Sequence, residues 1–315
     1  MPSYVTHRLF GEQVIKTLGE FPGTSNVKDH CVAFLWGVQG PDLLFYLFNE
    51  KASHLNDLGG IMHRSRTDKL FNEISRLLIS NKNSPSYPAL ASYAYGFICH
   101  YCLDRNIHEY VYCACESFKK EYITDSPFGV HIKLETDMDT AFYREFHGGN
   151  IRRFKLEPEL LSRTDDIEAI GYFHSEILRS VFGCEVDCAL IRDCVPKFYR
   201  REEKNFDPAG IKSWCRLRFK ELQDGEHNTH TVNWRPARVR RDVLNKEHRP
   251  WNNMWYPDTV YNYSLIDIFN RSVTDAAEMI REMERHTLSG EPFVRKNMVS
   301  FDNGNPKYYP NFENE

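Results

Sequence analysis

The chain has 315 residues, 41% hydrophobic and 14% aromatic, with a formal net charge of -4. This is enough for one large domain or two ordinary ones, and the near-balanced charge argues against a general nucleic-acid binder, so no stable nucleic-acid partner is expected. No run approaches membrane-spanning length, the start MPSYVTHRLFGEQ lacks the basic-then-apolar pattern of a secretory signal, and nine scattered cysteines read as reduced thiols, so the expected location is cytoplasmic.

Apolar residues recur at helical spacing along most of the chain. VTHRLFGEQVIKTL (5–18) is the first such segment, with Thr6 as a candidate cap. VKDHCVAFLW (27–36) is the second, stopped by the cluster Gly37, Gly40, Pro41. LLFYLF (43–48) is a short apolar run, either buried helix or strand. TDKLFNEISRLLI (67–79) is amphipathic, NKNSPSYP (81–88) is loop, and 89–120 reads as one long helix. After the loop ITDSPFG, HIKLETDMDTAFYREF (131–146) is helical again. TDDIEAIGYFHSEILRSVF (164–182) opens with a cap and an acidic first turn. VDCALIRDCVPKFYRREEK (186–204) is helical with a kink or break at Pro196, and AGIKSWCRLRFKEL (209–222) reads as a further helix. Between 224 and 263 the pattern dissolves into Trp, Arg, Asn, His and Pro. SLIDIFNRSVTDAAEMIREMERHTL (264–288) is the last strong helix, and the tail after 289 reads as loosely ordered. With no repeat and no sheet-building alternation, the expected class is all-α.

Within the long helix, HYCLDRNIH places His100, Asp104 and His108 four residues apart. Steps of four drift by only about 40° around a helix, so the three side chains share one face. The preceding ASYAYGFIC is apolar, so this polar stripe would enter a hydrophobic surround, where polar groups need partners. HIKLE repeats the register with His131 and Glu135. Asp42 follows a Gly-Pro turn in GVQGPD, His63 follows a Gly-rich approach in GGIMHRS, and His7 lies in the first helix. Mixed imidazole and carboxylate ligands suit zinc, and also iron or manganese. No cysteine joins them, which points to a catalytic rather than a structural site. The C-x₂-C at Cys99 and Cys102 falls inside the apolar helix and is not read as a redox pair.

In that order, His, Asp, His, HxxxD, His, HxxxE, the set resembles the bacterial zinc-dependent phospholipase C family, whose fold is shared with the single-strand-specific zinc nucleases. HYCLD is close to the family's HYxxD segment and HIKLE matches its HxxxE segment, over roughly residues 1–180. The resemblance implies an all-helical fold around two or three Zn²⁺ ions. Asp42, His63 and His100 would hold one ion, and Asp104 would bridge it to a second. His108, His131 and Glu135 would hold another, more open site. His7 would serve the ion bridged by Asp104, together with the amine of Pro2 once Met1 is removed. Residues 1–183 would then be the catalytic region and 184–315 a C-terminal helical extension packed on the same domain, with the loop-rich segment 224–263. Two departures stand out. Asp104 and His108 are closer in sequence than in the secreted enzymes. Leu43 and Gly60 occupy positions that are aromatic in the choline-preferring members, so an aromatic choline box is not supported.

The implied chemistry is phosphodiester hydrolysis, with a phospholipid or related phosphodiester as substrate. Two cations about 3.5–4 Å apart clamp phosphate oxygens and lower the pKa of water from 15.7 toward roughly 7, so that water attacks in line. Asp42 and Asp104 are the carboxylates read as catalytic. Asp68, Asp137 and Asp139 are weaker candidates for orienting the water, and each reads first as an ordinary acid at a helix end. Arg235, Arg238, Arg240, Arg241, Trp234, Trp251 and Trp255 make 224–263 either a lid with transient membrane-surface contact or, by preference, an irregular covering packed by its own aromatics. His227, His230 and His248 are poorer ligand candidates, and His30, His54, His147, His174 and His286 read as ordinary. One alternative is a single-strand nuclease-like phosphodiesterase, which needs base-stacking aromatics beside the site. The other is a non-catalytic metal-stabilised binding protein, which needs a closed ligand set. Helical phosphohydrolases with an adjacent His-Asp pair are disfavoured, because Asp29 and His30 stand in the reverse order.

Overall fold

The computed structural model describes residues 4–47, 57–120, 127–206, 211 and 235–303. They form an all-α fold whose sheet is a single two-stranded pair. The helices, in chain order, are α1 Tyr4–Leu18, α2 Thr24–Asp29, α3 Cys31–Gly37, α4 Leu58–Arg64, α5 Thr67–Asn81, α6 Tyr87–Phe118, α7 Pro127–His147, α8 Thr164–Phe182, α9 Cys188–Arg192, α10 Cys194–Asn205 and α11 Leu265–Ser289. Of the run at 43–48, Phe48 lies outside the described residues, and residues 43–46 belong to a 3₁₀ helix, Gly40–Tyr46, opened by Pro41 in its first turn. Proline suits that place because its missing N–H would have no helical acceptor there.

Three boundaries differ from expectation. The segment 27–36 is divided between α2 and α3, because His30 leaves the helical region at φ -121, ψ 47. The break in 186–204 falls at Asp193 rather than Pro196, which lies in the first turn of α10, where proline is tolerated. Thr6 lies inside α1 rather than capping it. The helix expected over 209–222 lies outside the described residues apart from Ile211.

The chain divides into two compact units. One comprises residues 1–9, 107–156 and 200–270. Its α7 packs Phe142 and Phe146 on Phe269, at ring separations of 5.2 and 4.7 Å. Asp139, fully buried on α7, accepts the Val5 and Thr6 backbone N–H groups and the Thr6 hydroxyl, so it caps α1 from a distance. Its second partner is buried Arg235, 2.5 Å away, which also pairs with Glu202 at 2.7 Å. Of the segment 224–263, residues 235–263 are described, and Trp251 packs on Tyr261 with ring centroids 4.8 Å apart. Strands β1 Trp251–Asn252 and β2 Val260–Tyr261 are antiparallel, in register Trp251↔Tyr261. Trp251 packs edge-on against Tyr110 at 5.3 Å.

The other unit comprises residues 10–106, 157–199 and 271–315. The amphipathic α5 buries Leu70, Phe71, Ile74 and Leu78. Helices α3 and α6 cross at glycines: a Cβ on Gly37 would lie 2.3 Å from the Tyr93 carbonyl oxygen, and one on Gly96 2.3 Å from that of Phe34. Only backbones without side chains can approach so closely, and this crossing sets α3 and its following turn against the part of α6 that carries His100. The tail after Ser289 is not loose through residue 303. The Phe293 N–H donates to Ser75 Oγ (2.9 Å), Arg295 N–H to Asn72 Oδ1 (3.2 Å), and the Asn297 and Met298 N–H groups to the Asp68 carboxylate (2.8 and 2.7 Å). The Tyr101 hydroxyl donates to the Val299 carbonyl at 3.0 Å, and Phe293 and Phe301 are fully buried.

Candidate metal centre

Four of the sequence-selected residues meet in the second unit. Asp42 comes from the 3₁₀ helix, His63 from the last turn of α4, and His100 and Asp104 from α6. Their relative exposures are 1, 5, 0 and 1%. The two imidazoles are fixed the same way. His63 Nδ1 lies 2.7 Å from the Gly59 carbonyl oxygen, and His100 Nδ1 lies 3.2 Å from that of Val38. A carbonyl only accepts, so each Nδ1 carries the hydrogen and each Nε2 presents a lone pair inward. The two Nε2 atoms are 3.4 Å apart. His63 Nε2 lies 3.2 Å from Asp42 Oδ1 and 3.7 Å from Asp104 Oδ2, and His100 Nε2 lies 3.1 Å from Asp104 Oδ2.

Two carboxylates and two inward lone pairs, all buried, repel one another unless a positive charge sits among them. The protonation of His63 reports this demand. Burial alone would lower its pKa, but the hydrogen bond and charge of Asp42, with the charges of Asp302 and Asp104, raise it to about 9. The outer Nδ1–H···O=C bonds are the arrangement that orients histidines on a metal, so His63, His100 and Asp104, with Asp42, fit a cation held by imidazole and carboxylate. Gly40 makes room for the His100 ring: its φ is +52, and a Cβ there would lie 2.5 Å from His100 Cγ.

A second cluster forms in the first unit. His108, near the C-terminal end of α6, and His131 and Glu135, one turn apart on α7, converge. His131 Nε2 lies 2.9 Å from Glu135 Oε1, and His108 Nε2 lies 3.7 Å from it. The two imidazoles stack, with centroids 5.6 Å apart. Burial pushes the Glu135 carboxyl up, but the charge and hydrogen bond of His131 and the charge of His108 hold it below the usual range. His131 keeps 16% of its side chain exposed, so this cluster is more open than the other. Tyr112, one turn beyond His108, lies 5.6 Å from His131 and 5.7 Å from Trp255.

His7 is buried near the start of α1, and Pro2 lies outside the described residues. The acids weighed for orienting water have other partners. Asp68 holds the tail, Asp139 caps α1 and pairs with Arg235, and Asp137 pairs with Lys133. Cys99 and Cys102 are buried and free, burial raises both thiols, and that of Cys102 reaches about 12, so neither is a ready thiolate. Sequence reasoning missed Phe301 and Asp302 beside His63, and Tyr112 beside His131. The tail offers no periodicity to reveal the first pair, whereas Tyr112 could have been found by extending the His108 stripe four residues further.

This constellation agrees with what comparison of the whole chain finds. The family model for zinc-dependent phospholipase C matches residues 6–184, more than half of the protein. The chain belongs to the zinc-dependent phospholipase C family, and both clusters fit that family's zinc requirement. No curated protein and no solved structure matches it. No described helix is long and apolar enough to cross a membrane.

Proposed function

We propose that this chain is a zinc-dependent phosphodiester hydrolase of the phospholipase C type, acting on a phospholipid or a related phosphodiester. The observation that carries the reading is the pair of clusters whose imidazoles turn Nε2 inward onto carboxylates. Asp42, His63, His100 and Asp104 would hold zinc in one, and His108, His131 and Glu135 in the other. His7 and the Pro2 amine complete the set that the family resemblance implies. When bound, zinc supplies Lewis-acid stabilisation of phosphoryl charge and lowers the pKa of water toward 7. The chain itself keeps the ligand imidazoles in one tautomer through the Gly59 and Val38 carbonyls. It also buries the carboxylates Asp42 and Asp104, which strengthens their hold on a cation.

The part-exposed His131 supports turnover rather than a closed, purely stabilising metal site. A transient lipid-surface contact is supported by the side chains that 251–263 leaves outward, with Tyr256 63%, Val260 58% and Tyr263 44% exposed. A second reading, nuclease-like action on single strands, is favoured by Tyr112 against His131, with Trp255 packed on Tyr112, because aromatic rings beside a metal site are what unstacked bases need.

The test is zinc content by mass spectrometry together with hydrolysis of a chromogenic phosphodiester, on the wild-type chain, Asp104→Asn and His131→Ala. Two or three zincs with activity lost in both variants support the proposal. A protein that neither binds zinc nor turns over after zinc supplementation overturns it.

A further inference from the structure

The matched family region ends at residue 184, yet the His63–His100 pair is in contact with a segment more than 100 residues further on. Residues 293–299 are tied in sequence order to Ser75, Asn72 and Asp68 of α5 and Tyr101 of α6. This delivers Phe301 to the histidines. Its N–H donates to the His63 carbonyl oxygen at 3.0 Å. That carbonyl lies in the last turn of α4, where carbonyls have no intrahelical donor. The Phe301 ring is edge-on to His63 at 5.4 Å and tilted over His100 at 5.9 Å. Phe45 stacks on His63 at 5.6 Å, so the imidazole is gripped between two rings. Phe301 also packs on Tyr101 at 4.9 Å and is fully buried.

We infer that residues 293–301 are a strap that positions the His63–His100 pair for metal, with Phe301 as its positioning residue. Phe301 is not itself a ligand. It fixes the C-terminal end of α4 through one backbone bond and restricts the tilt of both rings through its side chain. Outer groups that orient metal ligands typically change metal affinity 10–100-fold when removed. The inference rests on the zinc reading above.

The strap offers its own control. Phe293 is as buried as Phe301, and its ring lies against His286 at 5.8 Å rather than against a candidate ligand. Phe301→Leu and Phe293→Leu each keep an apolar side chain in a fully buried place, and Phe301→Leu gives up more ring contacts, with Phe71, Phe97 and Tyr101 as well as the two histidines. Zinc affinity is measured by chelator competition on full-length protein, and the binding step removed by His63→Ala identifies the relevant site. Thermal unfolding of the chelator-treated proteins measures packing loss separately. The expected result is about a tenfold weaker zinc step in Phe301→Leu and less than a twofold change in Phe293→Leu, with the zinc effect not tracking the loss of Tm. Equal zinc affinity in the two variants overturns the inference and leaves the zinc reading intact. A wild-type chain that takes up no zinc overturns the zinc reading and this inference with it.

Discussion

Gly40→Ala tests whether the turn before Asp42 is shaped around His100. Two effects add. Gly40 has φ +52, and an L-residue in that region is disfavoured by about 1–2 kcal/mol. The new methyl group would also lie 2.5 and 2.6 Å from His100 Cγ and Cδ2, well inside van der Waals contact. Relieving such overpacking typically costs about 1–3 kcal/mol, so the total expected loss is about 2–5 kcal/mol. Gly148→Ala separates the two terms. Gly148 has φ +62, and a Cβ there would have no described heavy atom within 4 Å, so only the backbone term, about 1–2 kcal/mol, applies. Urea unfolding of both chelator-treated variants, followed by circular dichroism, gives the difference directly. Zinc titration of the folded proteins should show weakened binding for Gly40→Ala alone, because the imidazole must move. If Gly40→Ala is no more destabilising than Gly148→Ala and binds zinc normally, His100 is not held against this turn and the geometry argued above is wrong.

Asp139→Ala should remove the distant cap of α1 and leave Arg235 buried with half its charge partners. Stranding one member of a buried pair costs about 3–5 kcal/mol, and a loss below 1 kcal/mol by urea unfolding would show that the network is dispensable. His174 tests the interior of the other unit. It is fully buried against the Tyr93 hydroxyl, and burial lowers its pKa from 6.5 to about 3. The unfolded chain therefore binds a proton that the folded chain refuses between pH 6.5 and 3. This contribution to stability is intact above pH 6.5 and lost as pH falls toward 3. At pH 5 the loss is about 2 kcal/mol. Wild-type unfolding free energy should therefore fall by about that much more than that of His174→Phe between pH 8 and 5. Parallel pH profiles for the two proteins would rule out a neutral, buried His174.

What could be read from the sequence was whatever periodicity encodes. The registers of α1, α5, α6, α8 and α11 follow from apolar spacing, and the HxxxDxxxH stripe follows from the same arithmetic applied to polar residues. The breaks were harder. Whether a chain ends a helix at His30 or Asp193 depends on contacts made much later in the sequence, such as the bond from His30 to the buried Asp166 at 2.5 Å. Proline, the obvious breaker, was misleading in α10 because a first turn tolerates it. The spare acids show the same limit. Asp68, Asp137 and Asp139 resemble one another in sequence, and only the positions of Met298, Lys133 and Arg235 decide what each one does.

The tail is the most instructive miss, because its residues obey no period at all. It is ordered by a series of separate backbone donors, each meeting a side chain on α5, and by two phenylalanines eight residues apart. No local propensity marks such a segment. Its order comes wholly from the surface on which it lies, and that surface includes the back of His63. A reading confined to the matched family region would therefore describe the inward side of the first cluster and omit the group that holds it from behind. The resemblance nominates the side chains proposed to hold zinc. The residues beyond 184 bear on how firmly two of them are held, which is why Phe301→Leu, far outside the family region, is the substitution whose effect on zinc is hardest to explain by any other route.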